Sequence, residues 1–247
     1  MSRLERASPP LTEAEELASL SEGTVEVLGL LPYSSNYVFL TKISWKGEET
    51  NGVYKPVRGE RPLWDFPEDT LAAREVAAYE VSAAGGFGWV PPTVMRTDAP
   101  LGPGSLQRFI PHDPERHYFV LLEEHRDAMA SLAALDIVIN NADRKGGHVI
   151  QGEDGRLRGV DHGLTFNIEP KLRTVIWAFA DQEVPPAVLA QLEKLRASFA
   201  NGELTARLSP LLSPEEIEET EARLELLLQT KTYPAPEGRF SIPWPLV

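Results

Sequence analysis

The period of the hydrophobic pattern changes near residue 110, and this constrains the fold more than any other feature of the chain. Before that point Tyr37, Phe39, Thr41, Ile43 and Trp45 alternate onto one face, the two-residue period of a half-buried strand. Thr24 to Leu31 and Val53 to Val57 read as strands beside it, separated by turn residues at 32–36 and 46–52. A helix is expected from about Asp69 to Ala84, with Asp69 or Thr70 as cap and Gly85-Gly86 as stop. Trp89 to Met95 and Leu106 to Ile110 complete an antiparallel sheet of five strands with one helix packed on it. After residue 110 the pattern is helical: Tyr118 to Glu124, His125 to Leu135, about 186–200, and 214–230 behind the Ser213-Pro214-Glu215-Glu216 capping box. One hairpin interrupts it, at 149–160, and the Pro- and Trp-bearing stretch from Tyr233 to Val247 reads as extended. The fold class expected is α+β in two lobes, residues 1–110 and 111–247, meeting at a cleft.

Charge narrows the partners. The chain of 247 residues carries 37 acidic against 24 Lys and Arg side chains, a formal net charge of −13. Neither half is basic, so nucleic acid is excluded as the main partner and docking on an anionic membrane is disfavoured. With no cysteine there is no disulfide framework, thiolate nucleophile or Cys-ligated zinc. The first twenty residues lack an apolar core of signal-peptide type, and the apolar stretch Leu132 to Ile139 is short and broken by Asp136. The expectation is a soluble, cytoplasmic protein.

Chemistry concentrates from Asp136 to Ile150, where an apolar run feeds Asn140, Asn141, Asp143, Arg144, Lys145 and His148. Polar groups set in an apolar frame are costly unless each has a partner or a task. The hairpin then returns Asp161-His162-Gly163 beside Asp143. In a kinase catalytic loop an aspartate accepts the proton of the acceptor hydroxyl, and a metal-binding side chain lies five positions later. Asp143 and His148 have that spacing, and Asp161-His162-Gly163 fits the Asp-x-Gly that supplies a second ligand. Upstream, such a site needs a strand lysine paired with a helix glutamate. Lys55 lies on the third strand and Glu75 on the following helix, with Glu80, about 140° round that helix from Glu75, as the fallback. His112, His117 and His125 have no neighbouring ligand and read as surface residues.

Residues 25–170 resemble the phosphatidylinositol 3-/4-kinase-related branch of the protein-kinase-like fold, with the nearest likeness to type II phosphatidylinositol 4-kinases, HipA-like kinases and a small bacterial branch. Tyr33-Ser34-Ser35-Asn36-Tyr37 resembles the phosphate loop of that family, Val53-Tyr54-Lys55-Pro56 its lysine strand, and Gly104 to Ile110 its hinge. Asn141-Ala142-Asp143-Arg144 resembles its catalytic loop. The resemblance implies that Asp143 is the catalytic aspartate and Asp161 a metal ligand. It also implies that Lys55 with Ser34, Ser35 and Asn36 holds the phosphates, and that the backbone of Arg108, Phe109 and Ile110 meets adenine. The family carries Asn where this chain has His148. An imidazole there shifts preference from Mg²⁺ toward Mn²⁺ or contacts a phosphate instead. His162 replaces the usual Phe, so apolar packing cannot hold the Asp-x-Gly motif. Lys171 to Trp177 occupies the place of a substrate or activation segment.

The function expected is transfer of the γ-phosphate of ATP to a hydroxyl of a protein or small molecule, assisted by Mg²⁺ or Mn²⁺. Arg144 or Lys145 would offset charge near the γ-phosphate. The alternatives are a catalytically weak, pseudokinase-like nucleotide-binding module, a phosphoinositide kinase and a nucleotidyl transferase.

Overall fold

The computed structural model describes residues 11–31, 36–236 and 238–247. Helix α1 (Glu13–Glu22) opens on a reciprocal cap between Thr12 and Glu15, which satisfies donors that would otherwise be orphaned at the helix start. Five antiparallel strands follow in the spatial order β1-β2-β3-β5-β4: β1 (Thr24–Leu30), β2 (Phe39–Trp45), β3 (Glu48–Pro56), β4 (Thr93–Arg96) and β5 (Gly104–Arg108). The expected turn at 46–52 shrinks to two residues. Lys46 and Gly47 both have positive φ, 51° and 86°, and Trp45 pairs with Glu48, so the twist of a mirror-image turn matches the strands and β3 starts early. The strand expected at 89–95 starts only at Thr93, because Pro91 and Pro92 have no N–H to give a ladder. The last strand likewise ends at Arg108 rather than Ile110.

Tyr54 enters a sheet core with Leu20, Ile43 and Leu106. The next residue, Lys55, points to the opposite face, as strand alternation requires. Lys55 lies opposite Ser105, and Pro56 opposite Gly104. A side chain at Gly104 would collide with the Lys55 carbonyl and Pro56, so only glycine lets β5 approach this close to the lysine strand.

Helix α2 (Leu71–Gly85) is buried along most of its length. Its cap is supplied from a distance: the Glu60 carboxylate accepts from the N–H groups of Leu71 and Ala72, and Gly86, at φ 70°, ends it. The helix packs on β4 and β5 and also on α4 (Pro186–Ala200) and α5 (Glu203–Leu208), so it joins sheet and helices. Arg74, wholly buried, pairs with Glu216 of α6 (Pro214–Thr230) and donates to the Thr165 carbonyl. The two helical segments expected around residue 125 are one helix, α3 (Tyr118–Val138), with non-helical backbone at His125. Its apolar face joins α4, α5 and α6 in the main core. The hairpin forms β6 (Val149–Gln151) and β7 (Leu157–Gly159). Sequence patterning missed the short α5. The architecture is α+β, with the antiparallel sheet first and helices after it. Among the described residues no helix is long and apolar enough to cross a membrane.

Candidate active site

Lys55 is where three distant parts of the chain meet. Its ammonium on β3 is hydrogen-bonded to Glu75 of α2 and lies 2.7 Å from Asp161, in the loop after β7. Burial works to lower the lysine, but the two carboxylates outweigh it and hold it charged, above its ordinary value. Lys55, with burial opposing, holds Asp161 far below the usual carboxylate range. Glu75 is 2% exposed, and burial pushes its carboxyl up against the pull of Lys55. Glu80, the fallback partner, faces away and pairs with Arg207 at 3.0 Å.

The loop after α3 is built on a buried charge. Asp136 sits inside an apolar helix end with no exposure, and its carboxylate receives the guanidinium of Arg144 through contacts of 2.9 Å. The same carboxylate accepts from the Asn141 amide at 3.0 Å. Asn141 in turn accepts the N–H of Asp143, which orients that residue. Arg144 also donates to the Val160 carbonyl and meets His162 Nε2 at 2.7 Å. The structure therefore places Arg144 under the loop, wholly buried, and leaves Lys145 at the surface, 2.8 Å from Asp143 Oδ2. Burial raises the Asp143 carboxyl, and Lys145 partly offsets this. His162 has no exposure, and its bond to Arg144 ties the Asp161-His162-Gly163 segment to the loop.

His148 Nε2 lies 3.3 Å from Asp161 Oδ2. Among the described residues no cluster of three or more His, Asp or Glu side chains could hold a metal ion unaided. One neutral imidazole nitrogen and one carboxylate oxygen fit a cation that completes its shell from phosphate oxygens and water, not an all-protein cage. Burial, aided by Arg144, Lys145 and Lys55 and opposed by Asp161, holds His148 down at about 4. The His162 imidazole is held well below its ordinary value, again chiefly by burial. Unfolded, both titrate near about 6.5. As pH falls the unfolded chain therefore binds protons first. Stability is full above about 6.5 and declines toward about 4, by up to about 1.4 kcal/mol per pH unit for His148. In metal-free buffer Tm is expected to drop between pH 7 and 5, and His148→Asn should flatten that slope in scanning calorimetry; an unchanged slope contradicts the assignment.

Of the expected phosphate loop, Ser34 and Ser35 lie outside the described residues. Asn36 Oδ1 accepts from the N–H of Arg61 at 3.0 Å. At the expected hinge the N–H groups of Arg108 and Phe109 already bond Pro92 and Asn51. Among the described residues the Ile110 N–H has no protein acceptor, and the Ile110 carbonyl faces His112 Nδ1 at 2.8 Å. Two small cavities, about 40 Å³ beside Glu60, Phe66 and Leu71 and about 10 Å³ beside Trp177 and Tyr233, lie away from Lys55, Asp143 and Asp161.

Sequence reasoning left the role of Asp136 open, although a lone acid in an apolar run was the signal that it has a buried partner. It also missed that the 238–247 segment reaches the Asp143 loop, where the Leu246 carbonyl accepts the Gly146 N–H at 2.6 Å.

No family model matches the chain. It is 36% identical to Protein Rv2133c of Mycobacterium tuberculosis, over 94% of this chain and 95% of that protein. Among solved structures, the Helicobacter pylori proinflammatory kinase CtkA is similar at a TM-score of 0.55, with 87% of this chain and 94% of that chain covered and 9% sequence identity. At that identity the likeness is one of fold, and the fold is kinase-like.

Proposed function

The chain belongs to the family of the mycobacterial Protein Rv2133c, and from its kinase-like fold and its Lys55 centre we propose that it is an ATP-dependent phosphotransferase acting on a hydroxyl. The observation that carries this reading is the convergence of Lys55, Glu75 and Asp161 from a strand, a helix and a loop. A charged lysine fixed by a buried glutamate, beside a carboxylate kept ionised, is what gripping and neutralising phosphate requires.

Residues 1–110 then serve as the nucleotide-binding lobe and 111–247 as the lobe that carries the catalytic loop. Lys55, with the backbone around Ser34, Ser35 and Asn36, holds the phosphates. Ile110, in the hinge with Arg108 and Phe109, offers its N–H and carbonyl to adenine. Asp161 and His148 hold Mg²⁺ or Mn²⁺, which neutralises phosphate charge when bound. Asp143, with Oδ2 held by Lys145, orients the acceptor hydroxyl and takes its proton. The acceptor oxygen gains the γ-phosphoryl group, the bond to the β-phosphate oxygen breaks, and ADP leaves. Arg144 we assign to bracing the loop rather than to offsetting charge at the γ-phosphate, since Asp136 and His162 occupy its guanidinium. The resemblance to phosphatidylinositol 3-/4-kinase-related and HipA-like enzymes belongs to this proposal, without the lipid acceptor: a charge of −13 opposes docking on anionic membranes. ATP as donor suits the cytoplasm.

A second reading, a catalytically weak nucleotide-binding module, draws on the direct Lys55–Asp161 pair, which engages one oxygen of the carboxylate assigned to the cation. Both readings require ATP to bind. ATP with Mn²⁺ at about 100 times Kd is expected to stabilise the protein by about 2.7 kcal/mol, a rise in Tm of about 5–10 °C for a chain of this size. Lys55→Ala should abolish the rise. No rise in the wild type, or a full rise in the variant, contradicts the proposal.

A further inference from the structure

The acceptor is the open half of the proposed reaction, and a short parallel pairing beside the catalytic loop bears on it. Arg144 and Thr174 are bridge partners in parallel register. The Arg173 N–H donates to the Asn141 carbonyl at 2.9 Å, the Arg144 N–H to the Arg173 carbonyl at 3.0 Å, and the Val175 N–H to the Arg144 carbonyl at 3.1 Å. Arg173 is thus tied through both its N–H and its carbonyl to the loop segment that carries Asp143. Arg144 and Thr174 are buried, whereas Arg173 is exposed and Asp143 partly so. Three hydrogen bonds fix the backbone beneath Arg173, which is not the anchorage of a free surface loop.

Lys145 and Arg173 act on Asp143, and Lys171 lies two residues before Arg173. Lys145 pairs with Asp143 itself. Lys171 pairs with Asp65 at 3.0 Å and sits 4.9 Å from the ring centre of the exposed Trp64. The exposed Arg173 guanidinium makes no hydrogen bond or close ion pair among the described residues. It acts on Asp143, whereas Lys55 is the charge that governs Asp161. Arg173 thus stands beside the loop that carries Asp143, tied to Asn141 and Arg144 through its backbone. Neither of the two small cavities borders it, and an open rim suits an extended segment rather than an enclosed small molecule.

We propose that Arg173 is a specificity residue that selects acidic peptide acceptors, with an Asp or Glu side chain near the serine or threonine that receives phosphate. This rests on the phosphotransferase reading, which supplies the role of Asp143. The selectivity runs against the global field: a chain of net charge −13 would draw basic peptides by long-range attraction. At physiological salt the Debye length is about 8 Å, so an Arg beside the bound segment decides locally.

The test reads binding, not turnover. Fluorescence anisotropy would compare a labelled serine peptide flanked by Glu with the same peptide flanked by Lys, at physiological salt. The acidic peptide is expected to bind more tightly to the wild type. Arg173→Ala should weaken it by about fivefold, the scale of an exposed ion pair, Arg173→Lys should largely restore it, and Arg173→Glu should invert the preference. Circular dichroism checks that each variant folds. A preference for the basic peptide, a preference unmoved by Arg173→Glu, or displacement by glycerol 3-phosphate at lower concentration than by unlabelled acidic peptide overturns the proposal. Phosphoryl transfer without this selectivity sinks the acceptor inference alone. The selectivity without ATP binding sinks the phosphotransferase reading instead.

Discussion

Asparagine in place of Asp143 is expected to slow phosphoryl transfer by about 10²–10⁴-fold, the usual contribution of a positioned general base, while the ATP-dependent rise in Tm persists. The substitution is nearly isosteric and keeps the backbone N–H of residue 143 on Asn141 Oδ1, so the loop should hold its shape. It removes the carboxylate proposed to take the acceptor proton. Burial raises the Asp143 carboxyl, which makes it a better base than an exposed aspartate. Lys145 on Oδ2 leaves Oδ1 without a protein partner among the described residues and free to meet a hydroxyl. A loss of transfer smaller than about tenfold in single-turnover measurements would mean that Asp143 does not act as the base.

The second large effect is on stability. Replacing Arg144 by leucine strands the Asp136 carboxylate in a site with no exposure. Breaking one partner of a buried ion pair costs about 3–5 kcal/mol, and the whole domain is stable by only about 5–15 kcal/mol. A fall in Tm of about 10 °C is expected. His162 and the Val160 carbonyl lose their donor as well, so the Asp161 loop should loosen and transfer should fall with stability. Removing both charges, in Asp136→Leu with Arg144→Met, relieves the stranded carboxylate and should cost less than either single change. If Arg144→Leu melts within about 2 °C of wild type, the pair does not brace the loop.

These expectations show which parts of the molecule were written locally. The ends of α4 and α6 were legible because proline at the first helical turn and the Ser213 capping box act within a few residues. Lys55 and Glu75 were legible because strand and helix periods settle which way each side chain points. The start of β3 was not, since a Lys-Gly pair reads as an ordinary loop until its positive φ values are known. The job of Arg144 was not legible either. Its sequence neighbours place it beside Asp143, but Asp136, eight residues earlier, claims its guanidinium across a helix end. Likewise nothing local in Lys171 to Trp177 singles out Arg173. Its place beside the Asp143 loop comes from a bridge between segments thirty residues apart.

The central claim is that this chain moves a γ-phosphoryl group. Incubation with Mn²⁺ and either γ-labelled or α-labelled ATP, wild type against Asp143→Asn, tests it most directly. Label from the γ position should appear on a hydroxyl-bearing acceptor or on the protein itself, and Asp143→Asn should remove it. Label arriving from the α position, or ATP bound with no transfer that depends on Asp143, would contradict the account.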